Sequence, residues 1–169
     1  MIIRRDKPRD LASSVALGFS AGRGAILASL NADGSHDPAD LPRLLDALGT
    51  GAEVAIGSRY APGGRIENWP WRRRILSRAG TLAARATLGL TVRDPLSGYY
   101  ALTRKAAARA EGARGFKVLL EVLARGRPRA VEVPIVFRDR VRGASKMSWR
   151  AAWLALVGLG RLIKETTRG

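Results

Sequence analysis

The sequence predicts an α/β fold, a sheet layered with helices, because short apolar runs alternate with amphipathic stretches and Pro, Gly and Asp punctuate the joins. A third observation places a site on that sheet: one apolar run ends in a cluster of oxygen-bearing side chains, where open α/β sheets bind ligands. In order, residues 11–22 read as a helix and 24–30 as a buried strand led by Gly24. The strand runs into Asn31-Ala-Asp33-Gly-Ser35-His36-Asp37-Pro38. Asp33 there could serve a hard divalent cation, which needs few protein oxygens, and the same residues also suit an ordinary turn before a helix.

Asp37-Pro38 opens a helix over 38–49 with Pro in its first turn, ended by Gly49 and Gly51, and 52–58 reads as a second strand. After a glycine-bearing loop, Ala61-Pro-Gly-Gly64, a long helix is expected over 70–88. It is two-faced: Ile75, Leu82 and Ala86 form an apolar stripe, while Arg74, Arg78 and Arg85 share another face. Residues 98–103 and 130–137 read as further strands, with a helix over 116–125 between them. A last helix from near Ser148 carries Trp149, Trp153, Leu156, Val157 and Ile163 beside Arg150, Arg161 and Lys164, the composition of an interfacial helix.

At 169 residues the chain is about one domain. It carries 30 Lys and Arg against 14 Asp and Glu, a net charge of +16, and the excess lies beyond residue 58. That basic part should face phosphates, a lipid headgroup surface or nucleic acid. The chain has no cysteine, which excludes disulfides, thiolate metal sites and thiol catalysis. The longest apolar stretch, Ala151–Gly160, is shorter than the roughly 20 residues that span a bilayer.

Six segments in order carry a resemblance: Asn31–Pro38, Ile56-Gly-Ser-Arg59-Tyr60, Trp69-Pro-Trp-Arg-Arg73-Arg74, Asp94-Pro-Leu-Ser97-Gly98-Tyr99, Phe116-Lys-Val-Leu-Leu-Glu121, and Val133–Arg140 through Gly143-Ala-Ser145-Lys146. Together they resemble the dolichyl-phosphate (polyprenyl-phosphate) mannosyltransferases, a branch of family-two glycosyltransferases with a GT-A fold. The likeness implies a partial GT-A catalytic domain over residues 1–147 and an amphipathic membrane-interface helix over 148–169. It also implies metal-dependent, inverting transfer of a sugar, mannose from GDP-mannose, to a polyprenyl phosphate, with Mg²⁺ or Mn²⁺ as cofactor. The expected location is peripheral, at the cytoplasmic face of a membrane.

By the same resemblance Asn31, Asp33 and Ser35 fall on the metal-binding motif, and Arg59, Arg73, Arg140 and Lys146 on positions that contact the donor diphosphate or acceptor phosphate. Arginine suits such a site because its planar fork binds phosphate oxygens bidentately. Of the contiguous Arg72, Arg73 and Arg74, at most one or two can point inward. Asp94 either orients its turn or shapes the acceptor side; His36 reads as a turn hydrogen-bonder, and Glu121 as the partner of a buried arginine.

The chain departs from the family pattern twice. Asn31 stands where the first carboxylate is usual, which removes one negative charge from the cation site. The family's first strands, with their nucleotide-binding Pro-x-Tyr-Asn-Glu-like and Asp-Asp-Gly-Ser-like segments, do not occur, so the sheet is expected to present an unpaired edge. Two alternatives keep the fold: a UDP-glucose or other donor, and an inactive remnant that binds anionic lipid or a protein partner. A nucleic-acid binder is disfavoured, since no such motif is present. The sequence sets no oligomeric state.

Overall fold

The computed structural model describes residues 11–111, 113 and 117–139. Its elements are α1 (Leu11–Ala21), β1 (Ile26–Ser29), a 3₁₀ turn (Pro38–Asp40), α2 (Leu41–Leu48), β2 (Val54–Ser58), β3 (Arg65–Ile66), α3 (Trp71–Leu88), β4 (Tyr100–Thr103), α4 (Arg104–Ala108), α5 (Val118–Gly126), β5 (Ala130–Pro134) and β6 (Val136–Phe137). The expected 148–169 helix lies outside the described residues.

The main sheet has the order β1-β4-β2-β5. β4 runs antiparallel to both β1 and β2, and β2 runs parallel to β5. It follows that β1, β2 and β5 share one direction. Their C-terminal ends and the entry to β4 meet at one edge, which gathers Asn31–Pro38, Arg59 and Asp94–Tyr99.

Alternation along the strands divides the core. Val54, Ile56, Tyr100 and Leu102 face one apolar layer with Ala12, Phe19, Leu119, Val122 and Leu123. Ala55, Tyr99 and Ala101 face the other, against Leu44 and Leu48 of α2. β2 is buried at every residue, as a central strand covered on both faces should be. Among the described residues β1 ends the sheet, with Ile26 exposed.

The structure refines three expectations. Residues 130–137 are not one strand: Pro134 ends β5, and after Ile135 the chain leaves the main sheet so that β6 pairs with β3. Proline has no N–H to continue a ladder. The helix over 38–49 begins instead as a 3₁₀ turn, where the Asp37 side chain accepts the Ala39 N–H, before α2 proper. The apolar stripe of the long helix is not its packed face: Thr81, Ala84 and Leu88 are buried, whereas Ile75 and Leu82 are exposed. The short β3 and α4 carry too little pattern to be expected from the sequence.

Candidate active site

Leaving β1, the chain folds its polar loop back on itself. Gly34 takes a φ of 78°, and the Asp33 carboxylate accepts the Ser35 N–H at 3.1 Å and its hydroxyl at 2.5 Å. Asn31 donates its side-chain amide to the Ser35 hydroxyl at 3.4 Å. The three expected metal-motif residues are therefore one hydrogen-bonded unit. Its donors are one carboxylate, one amide oxygen and one hydroxyl, all hard oxygens; Mg²⁺ or Mn²⁺ suits them when phosphate and water complete the shell.

His36 anchors that unit. Its Nδ1 accepts the Asn31 backbone N–H at 3.0 Å, so that nitrogen carries no proton. The ring is buried, stacks on Tyr99 at 5.0 Å and meets Phe137 edge-on at 5.3 Å. Burial, then the charge of Arg59, lowers its pKa to about 4, so the imidazole is neutral at pH 7. The turn-bonding role expected of His36 is the one observed. Gly98 closes the other side: a Cβ there would stand 3.2 Å from Asn31 Oδ1 and 3.4 Å from His36 Cε1.

Arg59, at the end of β2, is committed to a carboxylate. Its backbone N–H and Nε donate to Asp94 Oδ2 at 3.0 and 2.8 Å, and Nη2 donates to Oδ1 at 2.7 Å. Both residues are buried. Asp94 thus has an organising role, and its own N–H and that of Arg93 are held by Glu132 on β5. The guanidinium of Arg59 lies between 5.2 and 5.8 Å from the rings of Tyr60, Trp69 and Phe137. Ser97 completes the frame: its hydroxyl donates to Gly57 O at 2.7 Å and accepts the Tyr99 N–H at 3.1 Å.

Arg73 comes from the first turn of α3. Its Nη1 donates to Asp139 at 2.8 Å, and its guanidinium lies 4.0 Å from the Trp69 ring centre. Arg73 Nε and Trp69 Nε1 are both buried and find no acceptor among the described residues. The structure brings Arg59 and Arg73 to the same indole, and Arg59 within electrostatic range of His36. The main chain of Arg138 donates to Ser35 O at 3.2 Å, which draws the segment after β6 across the loop. Arg140 and Lys146 lie outside the described residues. Arg72 and Arg74 are exposed, so Arg73 is the inward member of that triplet.

Two residues sit in this site that sequence reasoning quoted within motifs without singling out. Trp69 joins the arginines, as above. Lys117 donates to Leu96 O at 2.7 Å, and burial, then the charge of Arg59, pushes its pKa down to about 8. A lone lysine before an apolar helix gives no local signal of burial. Glu121, buried, pairs with Arg125 one turn on at 2.8 Å.

The chain is 41% identical to the undecaprenyl-phosphate mannosyltransferase of Micrococcus luteus, over 95% of this chain and 70% of that protein. It is 37% identical to the dolichol-phosphate mannosyltransferase of Pyrococcus furiosus and 40% identical to the polyprenol monophosphomannose synthase of Mycolicibacterium smegmatis. These matches take in 96% and 87% of this chain but 47% and 59% of those proteins, so the chain spans about half their length. Among solved structures, glucosyl-3-phosphoglycerate synthase from Mycobacterium tuberculosis, in complex with Mn²⁺, UDP-glucose and phosphoglyceric acid, superposes with a TM-score of 0.67. At 19% identity, over 97% of this chain and 57% of that one, it shows a shared α/β GT-A-like fold. The model of "Glycosyl transferase family 2" matches residues 1–111, from before β1 to beyond β4, and with the relatives it settles the lineage: the chain belongs to glycosyl transferase family 2.

Proposed function

We propose that this chain supplies the metal-loop and phosphate-handling part of a glycosyltransferase that moves mannose from GDP-mannose to a polyprenyl phosphate, with inversion at the anomeric carbon. The observation that carries the reading is the meeting of the Asn31–Ser35 oxygen loop with the Arg59–Trp69–Arg73 cluster at one edge of the sheet. The relatives, named as polyprenyl- and dolichol-phosphate mannosyltransferases, support the choice of sugar and acceptor.

The chemistry fits these residue types. An acceptor phosphate is already ionised at neutral pH, so transfer needs no strong base; it needs alignment and relief of negative charge. Asp33, Asn31 and Ser35 would hold Mg²⁺ or Mn²⁺, which when bound neutralises the departing diphosphate. Arg73 offers its Nε, and Trp69 its Nε1, to phosphate oxygens. Arg59, bound to Asp94, fixes the Asp94–Tyr99 loop and contributes positive potential rather than a free fork. Arg140 and Lys146 belong to the same proposal as further phosphate contacts. So do a peripheral position at the cytoplasmic face of a membrane and the 148–169 helix as an interfacial element.

Incubation of the purified chain with Mn²⁺, labelled GDP-mannose and a polyprenyl phosphate tests the reading. Formation of a lipid-linked mannose that chelation abolishes is the expected result. No product at saturating Mn²⁺, from either the chain or its Asn31→Asp variant, overturns it for this chain.

A further inference from the structure

Glu132 is a charged residue in the middle of a strand, and neither the metal loop nor the arginine cluster accounts for it. Its neighbours in β5, Val131 and Val133, turn into the apolar layer of Ala55 and Tyr99. Alternation therefore sends Glu132 to the other face, beside Ile56, its partner in the parallel register. There, half-buried, it meets the chain that crosses from α3 to β4. Oε2 accepts the Arg93 N–H at 2.8 Å and Oε1 the Asp94 N–H at 2.9 Å. Two consecutive main-chain donors thus turn to one side chain, and only a carboxylate, with two accepting oxygens and no donor, satisfies both.

What the clamp holds is the root of the buried ion pair. Lys117 and Ser97 tie the loop further along, at Leu96 O and at Gly57 O, so Glu132 fixes the end that carries Asp94. Asp94 in turn takes three donors of Arg59: the backbone N–H at 3.0 Å, Nε at 2.8 Å and Nη2 at 2.7 Å. Nη1 is the one guanidinium nitrogen not spent on Asp94, and the guanidinium carbon stands 5.8 Å from the Trp69 ring centre and 5.6 Å from that of Phe137. A buried arginine gripped by two parallel bonds moves only with its partner. The place of its charge is therefore set by the main chain at residues 93 and 94, and that main chain is held from β5.

We propose that Glu132 is a positioning residue, which clamps the Arg93 and Asp94 N–H groups and so sets where Asp94, and through it the Arg59 cation, stands in the phosphate pocket. It acts through the main chain and not by contact with substrate. The inference rests on the reading of that pocket as a phosphate site and adds to it a residue from the neighbouring strand. Small displacements of such a cation matter, because relief of charge on a phosphate depends on donors held in place before the ligand arrives.

Glu132→Gln isolates the clamp: the amide keeps the size of the side chain but offers one acceptor, and its NH₂ would face the second N–H. Two measurements on the full chain read the result. The first needs no ligand, since His36 is the only histidine and lies within electrostatic range of Arg59, so its ring gives a single reporter resonance. That resonance should move in Glu132→Gln toward its position in Arg59→Met/Asp94→Leu. The second is calorimetric titration of the Mn²⁺-loaded chain with inorganic pyrophosphate, whose Kd should rise about fivefold to tenfold in Glu132→Gln. Glu132→Asp, with both oxygens one methylene short, should fall between, and it carries both readouts if the Gln variant does not fold. Added to Arg59→Met/Asp94→Leu, Glu132→Gln should change Kd by less than about twofold, because the clamp then has no cation to place. The proposal is overturned if Glu132→Gln lowers the melting temperature but moves neither resonance nor Kd, or if it weakens pyrophosphate binding as much in the Arg59→Met/Asp94→Leu background as in the parent. A parent that binds no pyrophosphate sinks the phosphate reading instead, and the histidine resonance then decides the clamp alone.

Discussion

His36 does its work through one nitrogen. Because Nδ1 accepts the Asn31 N–H at 3.0 Å, the substitution that keeps an acceptor in that place matters more than the one that keeps size. His36→Asn should leave Mn²⁺ affinity within about threefold, whereas His36→Gln, whose oxygen lies a bond further out, should lose about tenfold, near the cost of one unsatisfied buried donor. Mn²⁺ titration followed by electron paramagnetic resonance reads the split; equal losses would show that ring stacking on Tyr99, not the hydrogen bond, holds the loop. Arg59 and Asp94 form a different kind of pair, buried and fully engaged. Asp94→Asn leaves the guanidinium charge uncompensated and should cost about 3–5 kcal/mol in urea denaturation, with Arg59→Met/Asp94→Leu recovering much of that. The setting of that arginine in Gly-Ser-Arg-Tyr points to a phosphate contact. Its partner was not legible, because Asp94 lies 35 residues away and only the sheet brings them together.

At the scale of elements, what the sequence made legible is what carries its own punctuation. α3 was expected over 70–88 and runs Trp71–Leu88, introduced by Pro70 and stopped by Gly89 at a φ of 60°. β2 was legible as a short apolar run and proves buried along its length. β3 was not, since Arg65–Ile66 is a strand only through pairing with the distant β6, and residues 130–137, whose break at Pro134 frees β6 for it, read in sequence as a single strand. Which face of α3 packs was also hidden: the periodicity of Ile75 and Leu82 says that they share a side, not that the side is inward. The Asp94–Tyr99 loop hangs on β2 by the Ser97 hydroxyl, which serves Gly57 O and the Tyr99 N–H. Ser97→Ala leaves both buried groups without that partner and should cost about 1–3 kcal/mol by thermal or urea unfolding, more than a typical surface substitution.

For the whole molecule, Lys117 sets a pH dependence. Its pKa falls from the ordinary 10.5 to about 8, so below pH 8 both folded and unfolded chains hold the proton and the fold bears the full cost of a buried charge. Between about pH 8 and 10.5 the folded chain has released it and the unfolded chain has not; stability rises with pH across that window and then levels. Tyr99 and Tyr100, both raised by burial, push the other way at the upper end and do so equally in any Lys117 variant. Urea denaturation at pH 8, 9 and 10 should therefore show a slope more positive than that of Lys117→Met by up to about 1.4 kcal/mol per pH unit. Coincident slopes would place the lysine's proton outside this range.

β4 enters the sheet antiparallel between β1 and β2, so the loop that feeds it lies at the edge where its neighbours end. Register is therefore shared by residues far apart in the chain. A slip of β4 by a single residue would turn Tyr99 and Tyr100 each to the opposite face of the sheet and carry the Asp94–Tyr99 loop away from Arg59 in the same step.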